Sequence, residues 1–121
     1  MNSVFGEIRR AGDPDSLTEN EKTHVPLIEI LDEIRSGMLF AVTVKVGTTP
    51  HDLETTHFIQ FIDLYVDQIF VSRITFTPAV IKPKATFYLV LEGPVTLRAI
   101  ACCNQHGFWE SERLVTPSSG A

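Results

Sequence analysis

Apolar and polar residues alternate along most of the chain. In the stretch MLFAVTVKVG, residues 38–47, every second side chain from Phe40 to Val46 is large and apolar, which predicts a strand with one buried face. The runs FIQFIDLYV and IFVSRITF are separated only by Asp67 and Gln68, a connection typical of a β-hairpin. The runs ATFYLVLEG and VTLRAIACCN are divided by Gly93-Pro94, which indicates a turn between two strands.

The pattern is weaker before residue 37. Residues 1–20 mix small, polar and acidic residues without a period, so we expect an irregular segment, in which SLTENEK could form one helical turn capped by Ser16. The stretch HVPLIEILDEIRSG fits either a strand or a helical stripe, and we favour a strand. The tail at residues 116–121, TPSSGA, is small and polar and is expected to be flexible.

These elements predict an all-β fold. No convincing helical period occurs after Gly37, and successive strands are joined by short turns, as antiparallel neighbours allow. An antiparallel β-sandwich of about seven short strands is the natural architecture for this count. A length of 121 residues fits a single domain spanning residues 1–121.

Composition limits the possible partners and the cellular location. The net charge of −5 argues against nucleic acid or an anionic membrane as partner, because both need a cationic face. No apolar stretch approaches the roughly 20 residues that span a bilayer, and the amino-terminal residues do not resemble a secretion signal. The two cysteines are adjacent, a spacing that disfavours a disulfide between them. We therefore expect reduced thiols and a cytoplasmic protein.

The candidate chemistry lies in the four histidines and one thiol. His51 and His57 are six residues apart in PHDLETTH, and Cys103 and His106 form a Cys-x-x-His pair in CCNQH. With His24, these residues supply five candidate ligands. Five is one too many for the usual tetrahedral zinc site, and several imidazoles with one thiolate suit a redox-active iron or copper centre better.

Strand geometry bears on which cysteine binds. Adjacent side chains on a strand point to opposite faces, so Cys102 and Cys103 cannot both face the metal. Periodicity alone leaves the choice open, but the three-residue offset to His106 favours Cys103. Cys102 is then a small buried hydrophobic residue.

These motifs together resemble a known family. EKTHVP, the pair His51 and His57, the tripeptide FTP at residues 76–78 and CNQHGFWE from Cys103 onward are similar, in order and near-family spacing, to superoxide reductases of the single-iron, neelaredoxin type within the desulfoferrodoxin family. The resemblance covers residues 21–110.

The resemblance implies an immunoglobulin-like β-sandwich with one iron per chain. It places four imidazoles in the equatorial plane and one thiolate at an axial position, and by motif these are His24, His51, His57, His106 and Cys103. Superoxide would be reduced by one electron to hydrogen peroxide. Backbone amides of residues 104–107 are positioned to donate hydrogen bonds to the sulfur.

The chain departs from the family pattern before the first histidine. The family has a glutamate two residues before it and a lysine directly before it, whereas here Lys22 and Thr23 occupy those positions. Glu21, the family's candidate sixth ligand, would return to register only through a local bulge. Lys22 is the stronger candidate for a catalytic role, because an ammonium near an open iron site would attract superoxide and help deliver protons.

The resemblance also implies partners. The extra four-cysteine iron domain of two-iron members has no counterpart in this sequence, so the electron would come from an external donor such as rubredoxin. A homo-oligomer is expected, with a tetramer favoured. The alternatives are a non-catalytic β-sandwich module stabilised by zinc, and an iron-dependent dismutase or electron carrier.

Overall fold

The computed structural model describes residues 7–119 as two sheets and one short helix. The helix, α1, spans Glu19–His24. The strands are β1 (Ile8–Arg9), β2 (Pro26–Glu29), β3 (Leu39–Val46), β4 (Ile59–Val66), β5 (Ile69–Thr75), β6 (Lys84–Val90), β7 (Val95–Cys103) and β8 (Gly107–Val115).

The strands form two layers. One sheet has the order β1-β8-β7-β4-β5 and the other β2-β3-β6. All pairs are antiparallel except the two-residue pairing of β1 with β8, which is parallel. The predicted all-β fold is thus confirmed, and β1 is the one strand that the sequence pattern gave no reason to expect.

The core lies between the layers. On β3 the alternation predicted from sequence is confirmed, because Phe40, Val42, Val44 and Val46 are all buried. Facing them across the sandwich, Leu97, Ala99, Ala101 and Cys103 on β7 belong to the same buried cluster. Each fully buried Val or Leu contributes roughly 1.5–3 kcal/mol through removal of apolar surface from water.

The two predicted turns have different roles. Asp67, with φ of 53°, turns β4 into β5 within one sheet, as a hairpin requires. Gly93-Pro94 instead carries the chain from β6 in the three-stranded sheet to β7 in the five-stranded sheet. The turn was predicted correctly, and local sequence could not indicate that the chain changes layers there.

The amino-terminal region is more ordered than expected. The predicted irregular segment contains β1 and the first residues of α1, and the helix cap is Thr18, not Ser16. Both residues begin a Ser/Thr-x-x-Glu match, but Glu21 closes the capping box with Thr18 and also accepts a hydrogen bond from the Gly12 backbone at 3.2 Å. That second bond ties the helix start to the preceding loop. Residues 1–6 lie outside the described part.

Part of the predicted flexible tail is held by hydrogen bonds. The Ser118 amide donates to the Ile34 carbonyl at 2.9 Å, and its carbonyl accepts from Ser36 at the same distance. Residues 120 and 121 lie outside the described part. Within residues 7–119, no helix is long and apolar enough to cross a membrane.

Candidate metal centre

Four separate segments bring the candidate ligands to one end of the sandwich. His24 is the last residue of α1, and His51 follows the turn after β3. His57 lies just before β4, whereas Cys103 ends β7 and His106 lies in the turn to β8. The candidate ligands thus come from three regions of the sequence, around residues 24, 51–57 and 103–106, which converge only in the fold.

Their donor atoms are close together. Those of His24, His51, His57 and Cys103 all lie within 4.8 Å of one another. The fifth candidate adjoins them: His106 Nδ1 is 3.2 Å from His57 Nε2 and 3.8 Å from the Cys103 sulfur. All five residues singled out from the sequence therefore meet at one point.

The contact between His24 and His51 indicates what kind of species could bind between the two rings. Each ring directs Nδ1 to a backbone carbonyl at 2.8 Å, of Asn20 for His24 and of Asp52 for His51. A carbonyl only accepts, so Nδ1 carries the proton and Nε2 of the neutral ring is a bare acceptor.

These two bare nitrogens face each other at 3.2 Å. Burial lowers the pKa of His24 to about 4, and it lowers the pKa of His51 as well, so neither ring is charged at neutral pH. Two acceptors cannot bond to each other. A cation between them would satisfy both lone pairs, and this geometry therefore fits a metal site.

His57 and His106 are oriented by their own neighbours. His57 Nδ1 lies 3.0 Å from Asp52 Oδ2, which leaves Nε2 to face the centre. Asn104 fixes the segment around His57, since its side chain accepts from the Phe58 amide and donates to the Thr56 carbonyl. Such outer contacts set the tautomer and direction of ligand imidazoles.

The two cysteines face opposite ways, as predicted. Cys103 is 2% exposed and its sulfur is 3.5 Å from His51 Nε2, whereas Cys102 donates its thiol hydrogen to Gln60 Oε1 at 3.2 Å. Burial raises the pKa of the Cys103 thiol, while hydrogen bonds from the backbone amides of His106 and Gln105 oppose that shift. These are the donors expected from residues 104–107. They would stabilise a metal-bound thiolate.

A glycine lets α1 approach the site. Gly47, at the end of β3, has φ of 84°, and a Cβ placed on it would lie 2.7 Å from the Lys22 carbonyl and 2.5 Å from that of Thr49. The Thr49 amide donates to the same Lys22 carbonyl at 3.0 Å. Gly47 therefore permits the backbone contact that seats His24 beside His51.

Glu21 and Lys22 have partners outside the donor cluster. Both Glu21 oxygens accept backbone hydrogen bonds, from Thr18 at 2.9 Å and Gly12 at 3.2 Å. Lys22 Nζ lies 3.3 Å from Glu19 Oε1 and its side chain is 42% exposed. The segment is helical, so the local bulge considered from the sequence does not occur.

Several supporting residues could not be identified from sequence patterns. Asn20, Asp52 and Gly47 act through backbone or outer contacts that no short motif encodes. The Thr23 hydroxyl lies 2.9 Å from His24 Nδ1, in the position where the family pattern has lysine. Only knowledge of which segments meet in space could have identified these residues.

The fold and the converging donors define a β-sandwich metalloprotein with an imidazole and thiolate centre. The family model for desulfoferrodoxin matches residues 16–112. The superoxide reductase of Pyrococcus horikoshii is 36% identical over 119 residues, covering 90% of this chain and 96% of the relative. The neelaredoxin of Megalodesulfovibrio gigas is 32% identical, covering 76% of this chain and 85% of the relative.

Solved structures agree with these matches. The superoxide reductase (neelaredoxin) from Ignicoccus hospitalis superimposes with a TM-score of 0.78 at 31% identity, covering 92% of this chain and 95% of that one. The chain belongs to the desulfoferrodoxin family.

Proposed function

We propose that this protein is a superoxide reductase. One observation carries the proposal: five donors from four segments converge, with two unprotonated imidazole nitrogens facing each other at 3.2 Å. The relatives named as superoxide reductases support the same activity.

The donor set suits iron. We propose that His24, His51 and His57 bind through Nε2, His106 through Nδ1, and Cys103 through its sulfur, since these are the atoms that face the centre. When bound, iron supplies the one-electron chemistry by which superoxide, one electron from a donor and two protons give hydrogen peroxide. Buried imidazoles and a thiolate suit a redox-active metal better than magnesium or calcium, which prefer oxygen ligands.

Residues around the centre affect how strongly the proposed ligands donate electron density to the metal. The amides of Gln105 and His106 point at the Cys103 sulfur, and in a metal-bound thiolate their hydrogen bonds would limit the charge that the sulfur donates. The Asp52 carboxylate does the reverse at His57, since accepting from Nδ1 makes the ring a stronger donor.

Lys22 is our proposed catalytic residue beyond the ligands. Within residues 7–119 its ammonium pairs with Glu19, an exposed side chain, and such an ion pair is weak in water. The ammonium is therefore free to attract superoxide and to organise a proton-donating water. Glu21 suits capping better than metal binding, because both of its oxygens already accept from the backbone.

The reaction needs an electron from outside the site. We propose an external donor such as rubredoxin, a cytoplasmic location and a homotetramer. Among the edge strands of the two sheets, β5 and β6 offer strands for association with other copies. We also propose that residues 1–121 act as one domain.

Metal content, colour and stoichiometry test the function. We expect the purified protein to hold one iron per chain, to develop a visible thiolate-to-iron charge-transfer band when oxidised, and to consume one donor electron per superoxide without evolving oxygen. A colourless zinc protein would instead identify the non-catalytic module, and oxygen evolution would identify a dismutase. Neither alternative is favoured by the comparisons.

Two variant pairs test the residues. Cys103→Ser should abolish the charge-transfer band, whereas Cys102→Ser, on the adjacent residue, should keep it. Lys22→Ala should slow the second-order reaction with superoxide at unchanged iron content, and Lys22→Arg, which keeps the charge, should restore most of the rate. An unchanged rate in Lys22→Ala would remove Lys22 from the mechanism.

A further inference from the structure

Trp109 contacts two of the proposed ligands from outside the centre. It lies on β8 and is 3% exposed. Its ring stacks on His24, with centroids 5.1 Å apart and planes 26° from parallel. Its Nε1 donates a hydrogen bond to the His106 backbone carbonyl at 3.1 Å.

We propose that Trp109 is a positioning residue that holds His24 and His106 in their metal-binding orientations, and that Arg9 holds the indole in place. This proposal rests on the proposed metal site. It gives a role to the tryptophan of CNQHGFWE, which the ligand assignment leaves unexplained.

The two contacts control different degrees of freedom. Rotation of the His24 ring would swing Nε2 away from His51, and a stacked indole restricts that rotation. The hydrogen bond to the His106 carbonyl fixes the backbone of the β7 to β8 turn. That turn also carries the amides that point at the Cys103 sulfur. One side chain thus links α1 to the turn that bears the thiol.

The amino-terminal strand secures the indole. Arg9 pairs with Trp109 in the parallel β1–β8 ladder, and its Cζ lies 5.3 Å from the centre of the Trp109 ring, within the range of a cation–π contact. The next residue, Arg10, donates to Glu110 and Glu112 on β8. These contacts explain why a two-residue strand forms where the sequence shows no strand pattern.

Zinc affinity tests this role without relying on iron redox activity. We would load the metal-free protein with Zn²⁺ against a competing chelator. Trp109→Leu should weaken binding about 10- to 100-fold, the usual range for outer contacts of a metal site. Trp109→Phe keeps an aromatic ring but loses the N–H donor, so it should show an intermediate loss. Arg9→Gln should weaken binding less than either.

Phe108→Leu is the matched control. Phe108 is the neighbouring aromatic residue on β8, and its ring lies 6.3 Å from Phe61, not against a histidine. It should leave zinc affinity within about twofold, since it lacks an outer contact to a ligand. Circular dichroism tests whether each variant folds. If Trp109→Leu does not fold, Trp109→Phe still tests the proposal, because phenylalanine preserves most of the buried volume.

A spectroscopic readout separates positioning from general stability. In the cobalt-loaded protein, the thiolate charge-transfer band should shift in the Trp109 variants and stay unchanged in Phe108→Leu. Trp109 is also the only tryptophan, so Co²⁺ should quench nearly all of the wild-type indole emission. Wild-type zinc affinity retained in Trp109→Leu would overturn the positioning role while leaving the metal site intact. Absence of metal binding by the wild type would overturn the site, and this proposal with it.

Discussion

Replacement of Gly47 by alanine should strongly destabilise the end of the sandwich that carries the site. The added Cβ would meet three backbone atoms, at 2.5 Å for the Thr49 carbonyl oxygen, 2.7 Å for that of Lys22 and 3.0 Å for the Thr23 carbonyl carbon. Backbone atoms cannot rotate away as a side chain can. The helix that carries His24 must therefore move.

Two terms make up the expected cost. The φ of 84° is left-handed, which costs an L-residue with a Cβ about 1–2 kcal/mol. Forcing a methyl group into a filled space adds about 1–3 kcal/mol. The free energy of unfolding should therefore fall by about 2–5 kcal/mol.

Two other glycines distinguish the cost of the left-handed conformation from the cost of the steric clash. Gly107 has φ of 78° but open space around its Cβ position, so Gly107→Ala should cost only the conformational term, about 1–2 kcal/mol. Gly93 has neither a left-handed φ nor a neighbour within 4 Å, and Gly93→Ala should be close to neutral.

Urea unfolding of the metal-free proteins, followed by circular dichroism, measures all three. Zinc binding to Gly47→Ala should also weaken, because His24 moves with the helix. If Gly47→Ala were no less stable than Gly107→Ala, the close approach of α1 to the β3 turn would be refuted.

Two further predictions concern side chains around the centre. Asp52→Ala should weaken metal binding about tenfold, because His57 Nδ1 loses its partner at 3.0 Å. Glu54→Ala, in the same loop, is the control. Equal metal affinities of the two variants in a chelator competition would contradict the role of Asp52. Burial alone would raise the pKa of Glu110, but hydrogen bonds from Arg10 and Arg98 outweigh burial and lower the pKa below its ordinary value of 4.5. The stability that Glu110 contributes is therefore present above about pH 4.5 and is lost as the pH falls through the lower folded-state pKa. Glu110→Gln should flatten the pH dependence of urea unfolding below that pH, and an identical slope in the two proteins would contradict the shift.

Most of the strands and the candidate ligands could be proposed from the sequence because local patterns indicate them. Alternation on β3 follows directly from having one buried face, and the Cys-x-x-His spacing follows from the tight turn between β7 and β8. The opposite orientations of Cys102 and Cys103 needed only strand geometry. Each of these features depends only on residues that are close together in the sequence, so one sequence is enough to predict it.

The remainder depends on contacts between distant segments. Arg9 and Trp109 are 100 residues apart, and nothing in either stretch indicates that they pair. The change of sheet at Gly93-Pro94 is likewise set by how the layers pack, not by the turn itself. Ser16 and Thr18 both suit a helix cap, and the contact of Glu21 with Gly12 accompanies the cap that forms.

The position of the candidate ligands has a consequence for how the molecule opens. His24 and His51 flank strands of the three-stranded sheet, whereas His57, Cys103 and His106 flank strands of the five-stranded sheet. A metal bound by all five residues would crosslink the two sheets at one end of the sandwich. Its release should permit local fraying there while the core around Leu64 and Leu97 stays closed. Amide hydrogen exchange should therefore quicken first in the segments that carry the histidines, well before the protein unfolds as a whole.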